Sequence, residues 1–268
     1  MWLSEQVRPG IWVGFTDTTA GNLAFHVGDD AQAVTQRRSQ VAERLAAQAG
    51  LPGSLRPVLG YMNQVHGADV ADIDPAAPVL TADAAPTVDA MVTVATPVQE
   101  GGVSGLAVMV ADCVPVVLVG EKPDGGYVMG VAHAGRPGVE KDVIGAVITH
   151  MRQAGAVSLE AWLGPSVCGH CYEVPGAMRA TVAAVAPASY STTSWGTPAP
   201  DLPAAVLEQL ASHGATAHGS GICTLEDSQY YSHRRAQRDG ESEGRFIGLI
   251  AALSDPHAEP LKESASTP

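Results

Sequence analysis

A run of apolar, often β-branched residues that breaks off at a reactive residue beside a small one occurs several times in this chain. Leu106–Val110 stops at Ala111-Asp112-Cys113, and Val114–Val119 follows at once. Tyr127–His133 stops at Ala134-Gly135, and Leu59–His66 stops at Gly67. Runs of this length and composition read as buried strands. Residues 10–16, Asp89–Thr96 and Glu160–Leu163 read as further strands. Helical patterning is confined to Thr35–Gly50, Asp142–Ala154, Ala177–Ala186 and Pro203–His213, with Asp201 as a cap for the last. Residues 74–88 read as a loop, and Asp227–Ser232 as the opening of a short helix. Strands outnumber the helices between them and short turns join many neighbours, which is not a βαβ repeat. The expectation is an α+β chain in which a mixed sheet or sandwich is covered by helices. With no internal repeat and no dividing linker, residues 1–252 are expected to form a single domain. Residues 253–268 are expected to be a flexible tail, since 254–268 carry three Pro and no apolar periodicity.

Charge narrows the function. Fifteen Lys and Arg stand against 28 Asp and Glu, a formal net charge of −13. A surface this acidic repels phosphate backbones and anionic lipid, so nucleic acid and membranes are excluded as expected partners. A local basic pocket for a small anion remains compatible with it. No window offers the roughly 18–20 apolar residues that cross a bilayer. The start, MWLSEQVRPG, lacks the basic and apolar regions of a signal peptide, so the cytoplasm is the expected location. Four Cys in such a chain suggest free thiols or metal ligands rather than a disulfide frame.

Strand ends that open into glycine turns give reactive side chains a rigid base. His66, Cys113 and His133 are all presented this way. Two imidazoles and a thiolate suit zinc, and three protein ligands leave a fourth position for water or substrate. Their long sequence intervals match no compact zinc motif, and a single buried His or Cys is more often a core residue. Cys168-Gly169-His170-Cys171 has the spacing of a redox pair or of half a structural zinc site. Pro165 before it and Pro175 after it disfavour the helix that would activate a thiol, so the expectation is a packed or surface loop in which neither Cys is catalytic. Arg37-Arg38 and Arg234-Arg235 are the only adjacent basic pairs, and either could hold phosphate or lie on a solvated helix face.

Taken together the motifs are more specific than any one of them. Asn63-Gln64-Val65-His66-Gly67, Ala111-Asp112-Cys113-Val114-Pro115, His133-Ala134-Gly135, Gly164-Pro165 followed by Cys171-Tyr172-Glu173-Val174, and Cys223-Thr224 followed by Tyr230-Tyr231-Ser232-His233-Arg234-Arg235 stand in the order of one family. His26-Val27-Gly28-Asp29-Asp30 also fits. From about Gly14 to Ile250 the chain resembles the YfiH/laccase-domain family. The resemblance implies a four-layer α-β-β-α sandwich with mixed sheets and a catalytic zinc held by His66, Cys113 and His133. Copper is an alternative occupant of the same ligands, since Cu(II) outranks zinc in intrinsic affinity. It implies purine nucleoside chemistry: phosphorolysis of adenosine, inosine and methylthioadenosine, and deamination of adenosine. The expected partners are therefore a nucleoside and phosphate. Asp112, beside the Cys ligand, is expected to move a proton or to hydrogen-bond a ligand His, and Arg37 or Arg136 to neutralise phosphate.

The usual family motif after the second His is His-Ala-Gly-Trp-Arg-Gly, whereas this chain has His133-Ala134-Gly135-Arg136-Pro137-Gly138. A ring is absent and the cation has moved by one residue, so Arg136 is expected to reach the anion from a different position. Two other activities attach to the family. One is a peptidoglycan editing amidase that removes misincorporated Ser from a muropeptide precursor. The other is a polyphenol oxidase, for which the nine His offer no His-x-His pair of the kind a multicopper site uses. A non-enzymatic regulatory partner would have no need of the three ligands retained here.

Overall fold

Gly105–Val110 is buried at all six positions and Phe246–Ala252 at all seven. A strand covered on both faces has to lie between two layers. The computed structural model describes residues 3–52, 55–76, 85–96, 98 and 103–253, and among them two mixed sheets stack face to face. The first contains β1 (Leu3–Arg8), β2 (Ile11–Phe15), β3 (Leu59–Gly60), β6 (Gly105–Val110) and β13 (Phe246–Ala252), in the order β1-β2-β13-β6-β3. The second contains β4 (Val70–Asp72), β5 (Ala90–Val94), β7 (Val114–Glu121), β8 (Tyr127–Ala134), β9 (Ser158–Leu163) and β12 (Thr216–Gly219), in the order β12-β9-β7-β8-β5-β4. A separate hairpin pairs β10 (Tyr190–Thr192) with β11 (Pro198–Pro200).

The period of two along each strand assigns its faces. Val13, Leu106, Val108, Phe246 and Ile250 of one sheet meet Val117, Val119, Met129 and Val131 of the other in a shared core. Val116, Leu118, Val128 and Ala132 point the other way, against α3 (Val143–Gln153) and α5 (Leu202–Ser212). Ala107, Ile247 and Leu249 face α1 (Ala31–Gln48). The layers are therefore α-β-β-α, as the family resemblance implies. Three shorter helices complete the set: α2 (Arg136–Glu140), α4 (Gly176–Val185) and α6 (His233–Asp239). No helix among the described residues is long and apolar enough to cross a membrane.

Several boundaries differ from the sequence expectation. The strand expected over Leu59–His66 stops at Gly60. Beyond it the Gln64 carboxamide accepts from the Met109 N–H at 2.8 Å and donates to the Met109 carbonyl at 2.7 Å. One side chain thus satisfies the backbone groups that a strand neighbour would take, and His66 lies on a loop rather than at a strand tip. Helix α1 begins four residues before Thr35 because Asp30 caps it, accepting from the Ala33 N–H. The short helix expected at Asp227–Ser232 lies just beyond it, with Ser232 as the cap of α6. Leu253, assigned to the tail, is buried against the α1 side. The rest of that tail, 254–268, lies outside the described residues, as does part of the 74–88 loop.

Candidate functional site

Strands β6 and β7 are consecutive in the chain but belong to different sheets, and only Ala111-Asp112-Cys113 joins them. So short a crossing forces an unusual backbone, and Asp112 adopts φ +83°. Both of its carboxylate oxygens are engaged. One accepts from the Thr224 hydroxyl at 2.7 Å and the other from the Arg234 N–H at 2.7 Å. The turn is thereby fixed and Cys113 is presented where the two sheets meet.

His133 is the penultimate residue of β8 and is buried. Its Nδ1 lies 2.8 Å from an oxygen of Asp89, which is fully buried. The same carboxylate accepts backbone N–H groups from Val65 at 3.2 Å, His66 at 2.9 Å and Gly67 at 2.5 Å. A single side chain thus orients one histidine and gathers the loop that carries the other. His66, held at φ +59°, turns its ring to meet His133 edge-on, with centroids 4.6 Å apart. Its Nε2 is 3.9 Å from the Cys113 sulfur. Gly135 lies against the pair: an added Cβ would come within 2.9 Å of the His66 ring and 3.1 Å of the Cys113 sulfur.

The electrostatics follow from this packing. Burial pushes the Cys113 thiol up, but His133 and His66 outweigh burial and bring it down to about 6. Burial pushes His133 down, but Cys113 and Asp89 prevail and raise it to about 9. Burial would also raise Asp89, yet the hydrogen bonds from His133 and the loop N–H groups hold it below the usual carboxylate range. One ligand atom from each of His66, Cys113 and His133 lies within 4.8 Å of the others. A thiolate and two imidazoles in such reach form a donor set that fits a borderline divalent metal.

The three open onto a cavity of about 380 Å³. Arg136, Arg234 and Arg245 line it together with His26, Tyr172 and His233, so a basic pocket is set into an acidic protein. The Arg234 guanidinium lies over the Tyr172 ring at 4.7 Å and donates to the Glu173 carbonyl, and it makes no ion pair among the described residues. Burial, then the charges of Arg245 and Arg38, lowers His26 below the ordinary imidazole value. A roomier groove elsewhere, about 630 Å³, is lined by Arg8, Glu160, Trp162 and His218. There Arg8 and His218 are both paired with Glu160, and among the described residues no ligand set converges.

The expected site residues divide accordingly. His66, Cys113 and His133 come together. Arg136 reaches the cavity, but its guanidinium is bound to Glu140 one turn on at 2.7 Å. Arg37 does not line the cavity: Asp29 holds it at 2.6 Å and the Asn22 carbonyl takes the same nitrogen. Asp112 bonds Thr224 and Arg234 rather than either histidine. The partner of His133 is Asp89, which carries no signal in the sequence because the pairing of β5 with β8, Ala90 opposite Ala132, is what brings it beside His133. Arg234 had a sequence signal as half of a basic pair, whereas Arg245 and Tyr172 had none that pointed to a cavity.

A family model described as multi-copper polyphenol oxidoreductase laccase matches residues 13–253. A purine nucleoside phosphorylase of Streptomyces coelicolor is 43% identical over 252 residues, covering 88% of this chain and 94% of its own. The solved structure of YlmD from Geobacillus stearothermophilus superposes with a TM-score of 0.72 at 27% identity, covering 93% of this chain and 98% of that one. The Bacillus licheniformis protein YfiH has the same fold, with a TM-score of 0.71 at 23% identity over 91% of this chain and 93% of its own. With nearly the whole chain matched, the protein belongs to the multi-copper polyphenol oxidoreductase laccase family, the YfiH-like group that its motifs resemble.

Proposed function

We propose that this protein is a zinc-dependent purine nucleoside phosphorylase. One observation carries the reading: His66, Cys113 and His133 converge in the lining of a cavity that three arginines also line. The name of the Streptomyces coelicolor relative, 43% identical, points the same way. Zinc held by these three residues would supply a Lewis acid that neutralises charge on a phosphate or water oxygen.

The chain's own residues supply the rest. Asp89 fixes His133 with Nδ1 engaged, so Nε2 is the nitrogen left for a ligand. Arg234, whose guanidinium makes no ion pair among the described residues, holds the phosphate dianion, and Arg136 adds field from its pair with Glu140. Tyr172, beneath Arg234, offers its ring to the flat base. In phosphorolysis a phosphate oxygen bonds to the ribose C1′ as the bond to the purine nitrogen breaks, and the base leaves with the electron pair and takes up a proton. Preorganised cations are suited to the charge such a transfer carries. A cavity of about 380 Å³ is of a size that holds a small ligand such as a nucleoside.

The test uses protein purified without added metal. Metal analysis should find zinc, and a panel of adenosine, inosine and methylthioadenosine should yield free base and a ribose 1-phosphate only when phosphate is present. Ammonia release from adenosine without phosphate reads deamination, the second activity proposed for the same centre. Absence of both products from metal-replete, folded protein would refute the proposal.

A further inference from the structure

Cys168 and Cys171 are separated by two residues, and so are Cys223 and Glu226. Both pairs sit on tight turns. The Cys171 N–H donates to the Cys168 carbonyl at 3.0 Å, and the Glu226 N–H to the Cys223 carbonyl at 3.2 Å. The two turns face each other. Cys168, Cys171, Cys223 and Glu226 each place one ligand atom within 4.8 Å of the other three. Four donors around a tetrahedral zinc, with bonds of about 2.3 Å, lie roughly 3.8 Å apart, so a small contraction closes the set.

Hydrogen bonds already link the four groups. The Cys168 N–H donates to the Cys223 sulfur at 3.5 Å, and the Cys171 thiol donates to Glu226 at 3.3 Å. The turns belong to two largely irregular segments, 164–175 and 220–232. These are joined by an isolated bridge, Ser166 to Cys223, and by a small apolar cluster of Val167, Cys171 and Cys223, apart from the three main cores. Segments with so little core of their own are where small folds use metals as staples. The first segment lines the cavity and the second supports its wall. Val167 and Tyr172 line it, and Thr224 holds Asp112.

We infer that Cys168, Cys171, Cys223 and Glu226 form a second, structural zinc site that pins these two segments together behind the catalytic cavity. Two C-x-x-ligand turns meeting face to face are the arrangement of a closed zinc site with no open position. The inference stands independently of the proposed centre at His66, Cys113 and His133.

Metal content by plasma mass spectrometry tests it. Wild-type protein should carry two zinc ions per chain, Cys168→Ser/Cys171→Ser one, and His66→Ala/His133→Ala one. Cobalt loaded into the His variant should give a thiolate charge-transfer band several-fold stronger than in the Cys variant, because three sulfurs are coordinated instead of one. If the Cys variant does not fold, the His variant alone decides. A folded His variant without metal overturns the inference. So does a count of two free thiols in denatured wild-type protein, which would mean a disulfide. A wild-type chain with one zinc that survives in the His variant would uphold this site and sink the first.

Discussion

Asp89→Asn isolates how far the centre depends on one carboxylate. One oxygen of Asp89 receives the His66 N–H and faces His133 Nδ1, while the other receives the Val65 and Gly67 N–H groups. Asparagine keeps one acceptor and gains two donors. With its NH₂ toward Val65 and Gly67, two backbone donors lose their partner. With its NH₂ toward His133, only the His66 N–H is stranded, and the imidazole adapts by accepting at Nδ1. The second arrangement costs less, about 1–3 kcal/mol for one unsatisfied buried donor, so the protein should still fold. It also moves the ring proton to Nε2, the nitrogen that would bind metal. Loss of such an outer partner weakens metal binding by about 10–100-fold, or roughly 1.4–2.7 kcal/mol. The assay is zinc competition against a chromophoric chelator, with thermal melting of the apoprotein run in parallel. Zinc affinity within threefold of wild type in a folded Asp89→Asn protein would refute the reasoning.

Gly135→Ala meets no backbone obstacle at φ −74°, but its methyl would press on the His66 ring and the Cys113 sulfur. Zinc affinity should fall at least tenfold while the melting temperature of the apoprotein changes little. Arg234→Gln should raise the KM for phosphate by about 10–100-fold, the scale of a hydrogen bond to a charged group. Arg37→Gln should leave it unchanged, and steady-state rates against phosphate concentration separate the two. Burial raises the Glu160 carboxyl, but hydrogen bonds from His218 and Arg8 outweigh burial and hold it below its ordinary 4.5. A carboxyl lowered by folding contributes stability above that value and loses it as pH falls toward the folded-state value. The melting temperature of wild type should therefore drop more steeply below about pH 4.5 than that of Glu160→Gln, as followed by circular dichroism.

What the sequence disclosed was whatever one segment determines by itself. Apolar, β-branched runs such as Val114–Val119 marked buried strands because their covering on both faces leaves a continuous signal. Caps marked Asp201, which accepts from the Ala204 N–H. Long-range pairing left no such trace. Asp89 opens an apolar run like any turn residue, and its role arises only when β5 is laid beside β8. Arg37-Arg38 and Arg234-Arg235 look alike in sequence. Asp29 captures the first at short range, whereas the second is carried into the cavity by a backbone bond to Asp112, 122 residues away in the chain. Likewise Cys168-x-x-Cys171 looked like half of a site because its complement includes a glutamate, and Cys223-x-x-Glu226 matches no all-cysteine pattern.

Two buried carboxylates explain why a cavity assembled from such distant segments keeps one geometry. Asp89 ties the 65–67 loop to β8, and Asp112 ties the sheet crossing to Thr224 and to the first turn of α6. Asp89 accepts three backbone N–H groups and Asp112 one, with a hydroxyl. These donors converge only in the folded arrangement, so each carboxylate is satisfied in one register and stranded in others. An apolar side chain of the same size would tolerate sliding of the loops, because dispersion is not directional. A buried charge does not, since leaving it unpaired costs far more than any packing gained. The proposed ligand residues sit next to these clamps in space: His66 and His133 beside Asp89, and Cys113 directly after Asp112 in the chain. The carboxylates thus place both histidines and the Cys113 sulfur through the fold itself. Metal binding at the proposed centre would then require little rearrangement of the chain, the cost of gathering three ligands being met during folding.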